Sequence, residues 1–314
     1  MSNSELLAIG GAYVDINCPD FPFDNTGLQP ETEIVGGDYL FEAGGSAPNF
    51  VRLCSALEIP TTFIGKVGED KMGQVFSDLL EAAGVTPALI VESEVKTNIS
   101  MNLVNSDGKS IMAVAGNANQ SLSAPEVQAK VEELLNTSSY LFIGGCFKLK
   151  SLLPAFTELV AAAKDKGVKT VLDHGRLNSG VTADEIETVK RLAQSVDYYL
   201  PSTVELQELW QVSSIEEGLQ LLARTATGMT VVKDGNNGAV AIVDNAVVKV
   251  PAFNVQPIHT VGAGDSFDAG FIAAQSEGKS VFDSIKFACA TAALKISQDT
   301  LPTRRAVEHY IANN

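Results

Sequence analysis

Cysteine, histidine and positive charge are all scarce in this chain. Its four cysteines, Cys18, Cys54, Cys146 and Cys289, stand far apart with no C-x-x-C pair, and its three histidines show no metal-ligand spacing. That argues against a disulfide scaffold or structural zinc and for a reduced, cytoplasmic protein. Lys and Arg number 22 against 38 Asp and Glu, a formal charge of −16, so the long-range field repels nucleic acid and anionic membranes. A small anionic ligand would need a local positive site. No run approaches the roughly 20 apolar residues of a membrane helix, and the N-terminus has no basic n-region, so neither a membrane anchor nor an export signal is expected. Internal repeats and low-complexity segments are absent as well.

What is present suits a folded chain. Its 314 residues are 45% hydrophobic and 19% charged, which allows a large core and excludes wholesale disorder. From about residue 140 short β-rich runs alternate with helical patterns, which predicts a mostly parallel sheet flanked by helices. The strands are read in "YLFIGG", "KTVLDHG", "DYYLPS" and "MTVVKDG", and "LLAIGG" and "TTFIGKVG" of the first half join the same sheet. Helices are expected over Thr182 to Val196 and Ile215 to Thr227. Residues 31–43 and 97–115 instead alternate apolar and polar side chains, the second around an Asn-Ser-Asp-Gly turn. These predict a half-exposed antiparallel flap that is part of one domain, without a linker.

The stretch most suggestive of chemistry is "HTVGAGDSFDAGF", His259 to Phe271. Phe267, Gly270, Phe271 and Ala274 share a helical face, so a helix begins at or just before Asp265. Gly262 and Gly264, with Ala263, bare the backbone N–H groups at its start, where the helix dipole favours an anion. A lone aspartate before a helix is usually a cap. A cap needs no glycines, whereas phosphoryl transfer needs both an anion cradle and a carboxylate that reaches the attacking hydroxyl. Asp268, one turn on, reads as polar helix surface or a supporting contact.

A second glycine cluster, "FEAGGSAPNFV", places Gly44 and Gly45 before a helix that carries Asn49, an amide able to both donate to and accept from hydroxyls. Asp15 follows the first strand, at the carboxyl end where parallel sheets bind ligands; Gly10-Gly11 beside it is no dinucleotide fingerprint. Further candidates are Ser202 and Glu205 in "LPSTVELQEL", Lys233, Gly235 and Gly238 in "VVKDGNNGA", and Arg176 in "LDHGRLN", which could equally reach the pocket or make a surface salt bridge.

Taken together these stretches resemble the ribokinase-like (PfkB) family of carbohydrate and nucleoside kinases, along essentially the whole chain. "AGGSAPNFV" and "HTVGAGDSFDAGF" are similar to its two signatures. The resemblance implies one α/β domain of residues 1–314, with a small β lid from about 12–43 and 95–118. It implies ATP-dependent phosphorylation of a hydroxymethyl group on a neutral sugar, a nucleoside being the alternative, and an inactive ligand-binding regulator a third. Asp265 would be the base, Gly262 to Asp265 the anion cradle, and Asp15, Gly44, Gly45 and Asn49 the substrate contacts. Glu205 would hold Mg²⁺ through water, and adenine would lie between the "KDGNNG" turn and the helix carrying Cys289. Lid edges in such kinases often pair, which implies a homodimer. Two positions depart from the pattern: Ser202 replaces an asparagine, and His259 replaces an aspartate that helps hold a monovalent cation, so K⁺ activation should be weak or absent.

Overall fold

The apolar runs become strands whose alternate side chains enter different cores. In Glu5–Gly10, Leu6 and Ala8 join one hydrophobic cluster while Leu7 and Ile9 join another. Phe142 and Val231 take the first side, Leu141, Ile143 and Val232 the second, so a sheet buried on both faces needs apolar residues at every position. This is a computed structural model, which describes residues 5–23, 33, 35–107, 109–298 and 300–314.

The central sheet has nine strands in the order Ala246–Val250, Ala239–Val243, Met229–Lys233, Tyr198–Tyr199, Lys169–Asp173, Ser138–Gly144, Glu5–Gly10, Thr61–Ile64 and Thr86–Pro87. The first two pairings, Ala246–Val250 with Ala239–Val243 and Ala239–Val243 with Met229–Lys233, are antiparallel; the rest are parallel. Helices Ser46–Ala56, Ala263–Ser276 and Val281–Ser297 cover one face. Ala124–Leu134, Leu153–Asp165, Ala183–Ser195, Thr203–Trp210 and Ile215–Thr225 cover the other. Gly270 lets two of them approach: a Cβ there would stand 2.9 Å from the Ala288 Cα.

A separate four-stranded sheet runs Leu40–Gly44, Tyr13–Cys18, Asn98–Val104, Ser110–Ala115, with the middle pair parallel. Several expectations need correction. "TTFIGKVG" is split at Gly65: Thr61–Ile64 stays in the main sheet, and Lys66–Gly68 pairs with Ile90–Glu92. The flap is not purely antiparallel, and its first segment is a strand only from Leu40; residues 35–39 are irregular, and 31, 32 and 34 lie outside the described residues. "DYYLPS" contributes only Tyr198–Tyr199, and the Ile215 helix ends at Thr225. All four cysteines are free thiols. Among the described residues no helix is long and apolar enough to cross a membrane.

Candidate active site

Gly262 is the N-cap of the helix Ala263–Ser276, in the left-handed conformation with φ 76°. Asp265 is therefore inside the first turn and is not the cap. The helix offers its bare N–H groups beside the carboxylate. A Cβ at Gly264 would make only ordinary contact, 3.5 Å from the Lys233 Nζ, so the protein's own packing does not demand glycine there. Openness to a ligand explains it better.

Asn49 Nδ2 donates to Asp265 Oδ2 at 2.9 Å, joining the two glycine-rich motifs across 216 residues of chain. Burial, then the nearby Asp173 carboxylate, pushes Asp265 up to about 7; the Asn49 amide, Lys233 and the Ser46 hydroxyl oppose the rise. A carboxylate with that proton affinity is matched to general-base work near neutrality.

Beside this turn lies a buried ion cluster. Lys233 Nζ donates to Asp173 Oδ2 at 2.8 Å and to both Asp268 oxygens, at 3.0 and 3.1 Å. Lys233 thus ties its ammonium to protein carboxylates while also lining the cavity that holds Gly235, Gly238 and Gly264. Asp268 is fully buried, so of its two readings the helix surface is corrected and the supporting contact stands. Burial would lower the lysine's proton affinity, but the two carboxylates raise it, so the cation is secure. Asp173, which burial would raise, is held down to about 2 by the Lys233 charge and by a hydrogen bond from Asp268, whose own carboxyl burial pushes well up.

A cavity of about 790 Å³ opens from Asp265 along the carboxyl ends of the strands. One wall is Gly235, Asn236 and Gly238; the other is Cys289, Ala292 and Ala293. Gly238 has φ 94°, and any side chain there would overlap the Val250 carbonyl. Cys289 is buried, its thiol pushed up to about 12 by that burial, so it lines the wall as an apolar group. Ser202 caps Thr203–Trp210 in a reciprocal box: its hydroxyl accepts from Glu205 N, and Glu205 Oε2 accepts from Ser202 N at 2.7 Å. The serine thereby fixes the Glu205 carboxylate at the cavity wall. Asp173, His174 and Glu205 bring one potential ligand atom each within 4.8 Å of one another, a grouping invisible to spacing rules. Asp173 is engaged by Lys233, the His174 Nδ1 with the Gly175 carbonyl at 2.5 Å, and Glu205 through its Oε2 alone, by Ser202 N. Glu205 is the member best suited to a hydrated cation.

Arg176 lines this same cavity while its guanidinium pairs with Glu208 at 3.0 Å, so both readings of it hold, but it stands with the Ser202 side and not with Asp15. Asp15 itself is not at the end of a parallel strand of the main sheet; it lies mid-strand in the small sheet, between Glu42 and Ser100. Its carboxylate crosses Gly44, where a Cβ would overlap it, and Gly45 takes φ 103°. Burial and the Glu42 charge raise Asp15 to about 7 against Arg52 and Ser100. Asn17, Glu42 and Asn102 share its face, hydrogen-bonded in a row. Arg52 is tied to Glu42 and to the Ala43 carbonyl, both at 3.0 Å. His259 Nε2 stands 3.4 Å from the Lys295 Nζ, so the head of the motif carries nitrogen bases and an ammonium.

Sequence reasoning missed Asp173, Ser46 and His174. The one available signal was an aspartate closing a strand in "KTVLDHG", the same carboxyl-end position that drew attention to Asp15.

This arrangement, an anion cradle and a raised carboxylate at the carboxyl edge of a parallel sheet beside a small second sheet, defines a phosphotransferase architecture. Residues 4–301 match the pfkB family carbohydrate kinase model, and the chain belongs to that family. It is 27% identical over 323 residues to a ribokinase of Arabidopsis thaliana, covering 96% of this chain and 79% of the relative. A 5-dehydro-2-deoxygluconokinase of Halalkalibacterium halodurans is also 27% identical, covering 98% and 94%. Among solved structures, a putative ribokinase II from E. coli superposes with TM-score 0.86 at 20% identity, covering 99% of this chain and all of that one. An A. thaliana ribokinase complexed with ribose and ATP gives 0.79 at 22%, covering 99% of each chain. At these identities the structural matches speak for the fold.

Proposed function

We propose that this sugar kinase transfers the γ-phosphate of ATP to a hydroxymethyl group of a neutral sugar, with Asp265 as general base. The observation that carries the reading is the Asn49–Asp265 contact, which sets a carboxylate of raised proton affinity beside the helix start at Gly262. The sugar lies under the small sheet acting as a lid, its hydroxyls paired with Asp15 and Asn49, over Gly44 and Gly45. Asp265 takes the hydroxyl proton as that oxygen attacks. The N–H groups from Gly262 to Asp265 receive the charge that grows on the phosphoryl oxygens. Adenine rests between the Gly235–Gly238 turn and the wall bearing Cys289. Glu205 would hold Mg²⁺ through water, and that ion would supply positive charge to neutralise ATP oxygens. The acids and amides around Asp15, with Arg52 already tied to Glu42, favour hydroxyls over a phosphate or carboxylate on the substrate. A lid-to-lid homodimer is supported by apolar side chains left exposed on the small sheet.

The test is ATP consumption and phosphosugar formation across a panel of sugars and nucleosides, for the wild type and Asp265→Asn. We expect turnover of a neutral sugar that falls about 1,000-fold or more in the variant. Wild-type rate against pH should lose its activity below about 7, as Asp265 takes up its proton. Exchanging KCl for a bulky organic cation at fixed ionic strength should change the rate little, because His259 and Lys295 supply no anionic ligand. A nucleoside-only product would move the acceptor class. Ligand binding without ATP consumption would mean a regulator.

A further inference from the structure

Three ionisable side chains that the phosphoryl-transfer reading leaves without a task lie directly beside it. Asp173 ends one parallel strand and Lys233 ends another, while Asp268 sits three residues beyond Asp265 on the same helix. Their side chains are 6%, 10% and 0% exposed. Burying such a cluster is poor strategy for stability alone, since apolar residues of like volume serve a core as well or better. Its location supplies a better reason: the Lys233 Nζ is 3.5 Å from the point where a Gly264 Cβ would stand, beside the anion cradle, and Lys233 and Asp173 line the same cavity as Gly262 to Asp265.

Resting on the kinase reading, we propose that Lys233, clamped by Asp173 and Asp268, is a positioning residue for phosphoryl transfer: its ammonium fixes the electrostatic potential at the Asp265 carboxylate and at the Gly262–Asp265 cradle. The clamp works because two carboxylates hold the lysine in one place, so its charge needs no rearrangement when the phosphoryl group arrives. Asp173 and Lys233 act on Asp265 in opposite senses, the first favouring its protonated form and the second its ionised form. Other groups surround the site. Ser46, Asn49 and the Cys54 thiol come from the Ser46 helix, and His174 and Arg176 follow Asp173. Glu205 comes from the Thr203 helix, Cys289 and Lys295 from the Val281 helix, and Asp15 from the small sheet. All of these stay unchanged in the variants below, so they cancel in the comparison.

The experiment is the pH profile of kcat/KM for the accepted sugar at saturating ATP, in the wild type, Asp173→Asn and Lys233→Met, with circular dichroism and melting curves of each. Asp173→Asn keeps an acceptor for Lys233 but removes a negative charge, so the acid limb should move down by about one pH unit. Lys233→Met removes the cation, so the limb should move up by about as much, and kcat should fall about 100-fold. A merely structural cluster would lower both melting temperatures and leave both limbs on the wild-type curve; that result overturns the inference. Should Lys233→Met fail to fold, the limb of Asp173→Asn decides alone, and a limb that does not move counts against us. Should the wild type transfer phosphate to no acceptor at all, the kinase reading falls and takes this inference with it, whereas turnover with unmoved limbs sinks only the inference.

Discussion

As the proposed base, Asp265 would have to be ionised at working pH yet shielded from water, and those demands oppose each other energetically. Its proton affinity in the folded chain is raised from 3.8 to about 7, so the fold binds its proton more tightly than the unfolded chain does. The stabilising effect of that proton is complete below pH 3.8 and is lost as pH rises to about 7. Asp265→Asn removes the buried charge while keeping an oxygen for Asn49, so above pH 7 the variant should be more stable by about 1–2 kcal/mol, although inactive. The difference should shrink on acidification. Melting curves at pH 8 and pH 5 check this, and a variant that melts lower at pH 8 would show that the charged form is welcome in the fold. Asp265 was legible because glycine, alanine and glycine precede it within one turn. The Lys233 cluster was not, because its members are 60 and 35 residues apart and each looks ordinary in its own segment.

At the scale of elements, the strands that both cores cover announced themselves as unbroken apolar runs. What patterning missed was where those runs stop. "TTFIGKVG" is uniformly buried, yet it turns from one sheet to another at Gly65, and only the pairing of Lys66–Gly68 with Ile90–Glu92 reveals it. Helix starts were legible to within about two residues through their caps, Thr182 among them. The start at Gly262 is the one on which the proposed chemistry rests. An alanine there would be held at φ 76°, at a cost of about 1–2 kcal/mol, although its Cβ would have room beside the Lys295 Cε at 3.9 Å. Gly167 supplies a control, with φ 75° and nothing within 4 Å of a Cβ. Both Gly→Ala variants should lose similar stability in a melt, whereas only Gly262→Ala should lose turnover, by about 10-fold or more as the first N–H groups turn away. Equal activity in the two would mean that the cradle tolerates reorientation.

For the whole molecule the relevant contest is between charge and exposed apolar surface. Each chain carries −16, which works against self-association. The small sheet nonetheless leaves Leu40, Met112 and Val114 at 58%, 64% and 55% exposed, and cross-strand pairing puts them on the face that carries Asp15 and Asn17. Apolar side chains beside the proposed sugar site would be wasted on water, and a second copy of the sheet could cover them while closing over the substrate. If that pairing forms, the repulsion should be screened by salt while apolar burial is not, so association should tighten as salt rises from about 0.01 to 0.15 M. Light scattering on a sizing column should then give twice 33.2 kDa at the higher salt and a falling mass at the lower. Val114→Lys should give a monomer at both, with a raised KM for the sugar if the partner helps to cover it. A wild type that stays monomeric at high salt and micromolar concentration would leave the exposed face as part of the substrate cover within one chain, because no second copy then competes for it.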